Sequence, residues 1–501
     1  MVDHAAILSS PVPLYAVLVS LLAVPLILAS SNRPNLREFW TVLAAVVKFA
    51  LVLVLLPGAI AGMSTEIRII EIAPGIDLTL RADPLGVFFA LVASGLWILT
   101  SLYSIGYVRG LNEHKQTRYF ASFAVCLSAT IGIAFAANLL SFVLFYEILT
   151  IATYPLVIHK ETPAAISAGR KYLVYTLTAG VLLIAATAWT YAMAGSVEFV
   201  AGGLLRNVDA DARSLSLLFA LFLAGVGVKA AIMPLHSWLP TAMAAPTPVS
   251  ALLHAVAVVK SGVFGVVRLV GFVFGPDLLQ NLGLDTYLTS LAGVTIIVAS
   301  MLALSEDNLK RRLAYSTIGH LSYIVLGVSL LSPAGFTGAL FHIASHATMK
   351  ITLFFCAGAI YVASHREYIS ELDGIGKSMP WTMAAFTIAA IGLAGIPPMN
   401  GFVSKWYLGI GALESHQITM LVVLLVSGLL NVAYFFPIVQ RAYFREPREP
   451  HAHGEASAFM VVPLVVTAVL STLFGLMPNL FLHLFDLAVM VSTSVLKGHS
   501  L

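Results

Sequence analysis

Long apolar runs, separated by short polar segments, recur along almost the whole chain. Many of them exceed the roughly 20 apolar residues that a helix needs to cross a bilayer. They predict fourteen spans, near residues 12–30, 39–62, 84–108, 117–137, 139–158, 170–194, 213–233, 248–273, 286–304, 313–331, 334–363, 381–396, 416–440 and 458–482. The seventh continues brokenly to 245 and the twelfth to 414, and an amphipathic piece follows to Leu501. The predicted fold class is therefore an all-α polytopic membrane protein.

One segment departs from this helical pattern. Polar and apolar residues alternate through Ser64–Asp83, on both sides of Pro74-Gly75. This is the pattern of two strands joined by a turn, and it predicts a short external β-hairpin.

Prolines interrupt two of the predicted spans. Pro234 lies within the apolar stretch 225–268, and Pro397 and Pro398 lie within the motif IPPMNG. Proline removes a backbone donor and clashes with the preceding turn, so a helix must break there. At bilayer depth a broken backbone is tolerated only where protein or a water-filled cavity satisfies it. Both breaks therefore point to functional sites.

The two breaks occupy matching places in two sets of five spans. Spans four to eight and nine to thirteen each contain five helices, and an odd number places the second set upside down. Paired interrupted helices in this arrangement are typical of inverted-repeat transporters. We expect an N-terminal three-helix segment at 1–116, a first repeat at 117–273, a second repeat at 286–443, and a C-terminal helix with its tail at 456–501.

Composition and charge agree with a membrane protein. Hydrophobic residues make up 59% of the chain and charged residues only 10%, against about 25% charged in soluble domains. The net charge of +3 is too small to indicate a nucleic-acid partner. Loop lysines and arginines, such as Lys310-Arg311-Arg312, concentrate in alternate loops, which the positive-inside rule places in the cytoplasm. Both termini are then expected outside the cell (plasma) membrane, and the opening run, which lacks a basic leader, is expected to be a permanent span.

Ionisable residues inside the apolar spans indicate chemistry. They are Glu147, Lys229, Lys260, Lys350 and Lys405. Each costs about 2.5–3.5 kcal/mol at a helix centre unless it is paired or hydrated. Glu147 is the only acid placed deep in a span, and Lys229 is its expected partner. A static ion pair is the alternative, but buried pairs are poor stabilisers, so the pair predicts a switch that holds a proton when closed and passes it on when open.

Histidines extend this polar set. His342, His346 and Lys350 are spaced i, i+4, i+8, so they form one stripe on a helix, and His320 lies in the middle of another span. Histidine titrates near neutral pH. A single buried histidine is usually a hydrogen-bonded core residue, but this stripe predicts a proton relay.

Two further residues have less certain places in such a relay. His254 precedes Lys260 by six positions, so on a regular helix they lie about 240° apart and need water or a neighbouring helix to connect them. Lys48 lies in the second span, outside the set, and is expected to extend to the membrane surface or to meet a neighbouring subunit.

No cofactor or metal site is predicted. Cys126 and Cys356 lie far apart inside apolar runs, without zinc or CxxC spacing. His451 and His453, in a polar loop, are better explained as solvated residues than as metal ligands. The chain has no nucleotide-binding loop and no haem or cluster motif, so no intrinsic redox or hydrolytic activity is expected, and it would count as a translocase only through a larger complex.

The chain resembles the antiporter-like subunits shared by respiratory complex I and Mrp-type multisubunit cation/proton antiporters. The resemblance covers roughly 80–445 and rests on FYEIL at Glu147, on VKAAIMPLHSWLPTAMAAPTPVSALLHAVAVVKSGVF, on SEDNLKRRLAYSTIGHLSY and on GIPPMNGFVSKW. It implies fourteen helices in two inverted repeats with broken seventh and twelfth helices. It also implies a glutamate–lysine pair at Glu147 and Lys229, and a central hydrophilic axis that ends at Lys405. The axis residues it implies are Lys260, His320, His346 and Lys350.

The chain is most similar to the D-type branch of the Mrp antiporter proteins, since it lacks the lateral helix and the extra spans of larger relatives. This implies Na⁺/H⁺ antiport with other membrane subunits as partners. A proton-pumping subunit of a redox-driven complex, either complex I or a membrane-bound hydrogenase, is the alternative. A stand-alone solute transporter would instead be active without partners.

Overall fold

The computed structural model describes residues 7–73, 76–447 and 454–497, most of which are helical. The helices before the first interruption are α1 (Val12–Ala29), α2 (Pro34–Ile60), α3 (Pro84–Gly110), α4 (Gln116–Ala134), α5 (Leu139–Val157), α6 (Pro163–Ala194) and α7 (Ala212–Lys229). Those that follow are α8 (Trp238–Thr241), α9 (Thr247–Ala251), α10 (Val258–Arg268), α11 (Pro276–Asn281), α12 (Leu284–Ser305), α13 (Leu309–Ser329) and α14 (Pro333–Ser364). The last are α15 (Pro380–Ala394), α16 (Asn400–Glu414), α17 (Ile418–Phe444), α18 (Ala458–Leu476) and α19 (Leu484–Val495).

Twelve helical segments of the described chain are long and apolar enough to cross a membrane. The prediction of a polytopic helical membrane protein is therefore confirmed. The helix α13, which begins with Leu309-Lys310-Arg311-Arg312, and the short helix α15 are not among the twelve. The segment Thr247–Phe274 is completely buried inside the molecule, whereas only a third of the apolar window of α17 is.

Polar side chains fix where several helices begin. The carboxylate of Asp83 accepts a hydrogen bond from the Gly86 amide at 2.7 Å, at the start of α3. The side chain of Asn138 accepts one from the Ser141 amide at 2.8 Å, at the start of α5. Each cap satisfies one of the N–H groups that a helix leaves unpaired at its first turn. The cap at Asn138 thereby fixes the position of the helix that carries Glu147.

The predicted hairpin is present as a pair of antiparallel strands. Strand β2 (Ser64–Ala73) pairs with β3 (Ile76–Ala82), and the turn at Pro74-Gly75 lies outside the described residues. A short strand that the sequence did not predict, β1 (Ile7–Ser9), adds to β2 in parallel. The three strands form one small sheet.

Both proline-rich motifs lie in gaps between helices. Pro234 lies between α7 and α8, and Pro397 and Pro398 lie between α15 and α16. Side chains satisfy backbone carbonyls beside these gaps. The indole of Trp238 donates to the Val228 carbonyl at 2.8 Å, and the amine of Lys405 donates to the Leu393 carbonyl at 2.6 Å.

The helix α14 lies at the centre of the molecule. It packs against α3, α9, α13, α15, α16, α18 and α19. Its residues are buried on every side from Ala334 to Ile360, as expected of a helix enclosed by others. The stripe of His342, His346 and Lys350 therefore lies in the interior rather than against lipid.

The expected angle between His254 and Lys260 is wrong. The backbone between them is not a regular α-helix, because residues Leu252–Val256 form a π-helical turn before α10 begins at Val258. Such a turn has i→i+5 hydrogen bonds, so the spacing of 3.6 residues per turn does not apply. π-helical turns inside helices occur frequently at functional sites.

Candidate functional site

Lys229 ends α7 at the first interruption and is completely buried. Its amine donates to the Tyr146 carbonyl at 2.6 Å and lies 3.4 Å from the centroid of the Tyr146 ring. The hydroxyl of Tyr146 donates in turn to the Gly225 carbonyl at 3.3 Å. A carbonyl and an aromatic face both stabilise a buried ammonium group, so α5 holds the lysine of α7.

Glu147 is the residue next to this carbonyl, and its side chain is partly exposed. It lies within electrostatic reach of Lys229. The expected direct contact is not formed: among the described residues no ion pair within 4.0 Å joins the two, and Oε1 of Glu147 is buried without a hydrogen-bond partner. The carboxylate packs against Gly180 of α6. The structure therefore holds the predicted pair in an open arrangement.

The residues of the central relay come together in the interior. The amine of Lys260 lies 2.9 Å from Nδ1 of His346. Nδ1 of His320 lies 3.2 Å from Nε2 of His342, and the rings of His320 and His346 are 5.5 Å apart. All four side chains are at most 1% exposed. Nδ1 of His342 continues the line to the hydroxyl of Ser404 on α16, at 2.8 Å.

Lys350 begins a second line of polar groups. Its amine donates to the hydroxyl of Ser316 at 2.7 Å, and that hydroxyl lies 2.9 Å from the Tyr434 hydroxyl. Tyr434 donates to the side-chain oxygen of Asn431, whose amide nitrogen donates to the Leu393 carbonyl at 3.1 Å. The same carbonyl accepts from Lys405. Lys350 and Lys405 are thus connected through α13, α17 and the last turn of α15.

His254 is the predicted relay residue that joins neither line. Its ring packs against Phe354 at 4.8 Å, and within the described ranges neither ring nitrogen has a hydrogen-bond partner. It lies within electrostatic reach of Lys350 and Lys310.

Lys48 does not extend to the membrane surface, so that expectation is wrong. The side chain is completely buried, its amine donates to the Leu127 carbonyl of α4 at 3.3 Å, and it lies 5.5 Å from the ring of Trp97. An aromatic ring and a backbone carbonyl thus hold Lys48 much as they hold Lys229. The two differ in that no carboxylate is among the neighbours that affect Lys48 electrostatically.

The sequence did not identify the polar residues that link the ionisable ones. They are Tyr146, Ser316, Ser404, Asn431 and Tyr434. Only Asn431 stood out, as the amide within the apolar run GLLNVAYFF. The hydroxyl groups were not recognisable, because serine and tyrosine are common in membrane helices and many bond only to their own backbone, as Thr150 does.

This arrangement can pass protons between neighbouring groups. Several of its nitrogen and oxygen atoms lie 2.7–3.2 Å apart, within the reach needed for direct transfer. The chemistry fits protons better than a bare metal cation, since most groups here are nitrogen bases and hard cations such as Na⁺ prefer oxygen ligands.

Comparisons with known proteins agree with this chemistry. Residues 136–431 match the family described as NADH:quinone oxidoreductase/Mrp antiporter, TM. NADH-quinone oxidoreductase subunit N of Desulforudis audaxviator (strain MP104C) is 31% identical over 502 residues, which cover 95% of this chain and 96% of that protein. Hydrogenase-4 component B of Escherichia coli (strain K12) is 31% identical over 80% of this chain, but the match spans only 62% of that protein.

The fold is also known from a solved assembly. The Mrp complex from Dietzia sp. DQ12-45-1b contains a chain that matches with a TM-score of 0.86 at 21% identity, over 97% of both chains. The similar proteins are parts of membrane assemblies.

Proposed function

The chain belongs to the NADH:quinone oxidoreductase/Mrp antiporter family of transmembrane subunits, and from that premise we propose that it is the D-type, proton-translocating member of a multisubunit Na⁺/H⁺ antiporter. The line of buried lysine and histidine side chains around α14 carries this proposal. Burying these groups costs several kcal/mol of stability, so stability alone does not explain them.

We propose that protons enter near Glu147 and Lys229, where the carboxylate is partly exposed. They pass through Lys260 and His346 to the histidines of α13 and α14. They leave near Lys405, on the line that starts at Lys350. His254 is a side station, since its nitrogens lack partners in the described chain. The breaks at Pro234, Pro397 and Pro398 serve to place carbonyl groups beside these amines.

The proposed architecture is a set of fourteen membrane crossings with two inverted five-helix repeats. Twelve helices meet the length and hydropathy expected of a span, and α13 and the pair α15–α16 would supply the other two. The segments 1–116, 117–273, 286–443 and 456–501 then form the N-terminal helices, the first repeat, the second repeat and the C-terminal helix with its tail. The protein would lie in the cell inner (plasma) membrane with both termini outside.

A proton-pumping subunit of a redox-driven complex is the second candidate. The relative that this chain matches over nearly its full length is named as a subunit of NADH-quinone oxidoreductase, which favours that alternative. Copurification after mild detergent extraction separates the two. Small Mrp-type subunits would support the antiporter, iron–sulfur or nickel subunits would support the redox pump, and transport by the isolated chain in proteoliposomes would support a stand-alone transporter.

Lys229→Ala tests the proposed proton route. We expect cation-driven proton transport in membrane vesicles to fall by on the order of 100-fold, the scale of a lost acid–base group, while the complex still assembles. Lys48→Ala is the matched control, because that lysine is equally buried and also has a carbonyl and an aromatic ring as neighbours. Full transport in Lys229→Ala, or an equal loss in both variants, would contradict the route.

A further inference from the structure

Two loops bring three potential metal ligands together, away from the proposed proton route. Glu113 and His114 lie between α3 and α4, and His159 lies between α5 and α6. One ligand atom from each lies within 4.8 Å of the other two. Nε2 of His159 is 3.7 Å from Oε2 of Glu113, and the rings of His114 and His159 stack with centroids 5.0 Å apart.

His159 is the member that points to a ligand. Its side chain is 0% exposed, and neither ring nitrogen has a hydrogen-bond partner in the parts of the chain that the structure describes. Buried polar groups are almost always hydrogen-bonded, because an unpaired one costs about 1–3 kcal/mol. Burial, followed by the nearby His114 and Arg118, lowers the pKa of this imidazole to about 4, so the ring is neutral at physiological pH.

We propose that Glu113, His114 and His159 bind one Zn²⁺ ion, with water at the fourth position. Two histidines and one carboxylate form a ligand set that zinc takes in sites with an open position. Ligand atoms around tetrahedral zinc lie about 2.0–2.2 Å from the ion, hence roughly 3.3 Å from each other. The three groups reach that spacing by rotation of His114 and Glu113, whose side chains are 43% and 11% exposed, around the fixed His159.

Glu161 adjusts the charge around this site. It accepts hydrogen bonds from Lys115 and Arg118, both at 2.7 Å, and these bonds lower the pKa of its carboxyl to about 2. Two cations therefore lie beside two carboxylates, and the surroundings are close to neutral before a metal binds. We expect affinity in the micromolar rather than the nanomolar range, because Lys115 and Arg118 repel a divalent cation.

A metal here would connect the proton route to a surface loop. His159 follows the end of α5, the helix that carries Glu147, and the other two ligands belong to the loop after α3. Bound zinc would hold this end of α5 and slow transport. That consequence rests on the proposed function, whereas the binding itself does not.

Metal binding to the purified complex, carrying a tag without histidines and stripped by a chelator, tests the site. We measure Zn²⁺ by equilibrium dialysis and Co²⁺ by its visible absorption. We expect one ion more per complex than in His159→Gln, and affinity at least about tenfold lower in His114→Asn and in Glu113→Gln. The exposed His114 makes the test independent of the folding of His159→Gln.

His416→Asn, on an exposed turn, is expected to bind as the wild type does. The double variant His451→Asn/His453→Asn, in the loop outside the described residues, is also expected to bind normally. Binding that survives all three ligand substitutions, or that disappears with His451 and His453, would overturn the proposal. Since no transport is measured, failure of the site and failure of the proton route are distinguishable.

Discussion

The two interrupted helices hold their lysines in different ways. At the first, Lys229 is the last residue of α7, and its amine reaches the Tyr146 carbonyl on α5, next to Glu147. At the second, Lys405 lies in α16, and its amine reaches back to the Leu393 carbonyl in the last turn of α15. Only the first lysine has a carboxylate within electrostatic reach among the described residues.

The difference teaches that an interrupted helix can take the place of a counter-ion. The last carbonyls of a helix lack intrahelical partners, and its C-terminal end carries a partial negative charge. The end of α15 offers both to Lys405, which needs no acid. A carbonyl also holds Lys229, so we infer that Glu147 is not needed to keep that lysine in place and instead controls when it releases its proton.

Lys405→Arg is the variant with the largest expected effect on this comparison. It keeps the positive charge at the end of α15 but cannot release a proton, because guanidinium stays protonated in proteins. The Leu393 carbonyl also keeps its bond from Asn431, so assembly is expected to be normal. Transport should fall by on the order of 100-fold, the scale of a lost proton-transfer group.

Fluorescence quenching in inverted vesicles measures this transport, and Lys377→Arg, at an exposed loop lysine, is the control. A rate for Lys405→Arg within about twofold of the wild type, far from the loss expected of a proton-transfer group, would mean that only the charge matters there.

Gly180→Ala tests the first interruption without removing any ionisable group. A methyl group at this position would lie 2.9 Å from Oε2 of Glu147, so the carboxylate must move. Alanine favours a helix over glycine by about 1 kcal/mol, so stability should not fall through helix propensity. We expect transport to drop by about tenfold, since small misplacements of reacting groups cost this much or more.

Gly58→Ala is the matched control for this steric test, because no described atom lies within 4 Å of the added methyl group. Unchanged transport in Gly180→Ala would mean that the position of the Glu147 carboxylate does not control the release of the proton from Lys229.

The sequence predicted those features that depend on local chemistry. Pro234 and the pair Pro397-Pro398 indicated the gaps between helices because proline acts on its own backbone. The spacing of His342, His346 and Lys350 placed them on one helix, since that periodicity is a property of the helix itself. Helix ends were close to those predicted, apart from the last long helix, which ends at Leu476 instead of 482.

Contacts between distant helices were beyond the reach of such patterns. Nothing in the spacing indicates that Lys260 bonds to His346 while His254 does not, because a π-helical turn changes the register between them. Lys48 could not be told from a lysine that extends to the surface, since burial depends on the packing of α2 against α4. The cluster of Glu113, His114 and His159 was missed because two separate loops form it.

Tyr434→Phe gives the smallest effect and tests the line that only the second interruption has. Its hydroxyl connects Ser316, which binds Lys350, to Asn431, and removing it loses roughly one hydrogen bond, worth about 1 kcal/mol. If protons use this line, the transport rate should fall about fivefold, the equivalent of that energy in a barrier. Tyr323→Phe is the control, because its hydroxyl donates to Ser427, away from the line, while its ring still lies beneath Lys405. Thermal unfolding of both variants should shift alike. An equal loss of transport in both would mean that Tyr434 supports the packing of α17 rather than the passage of protons.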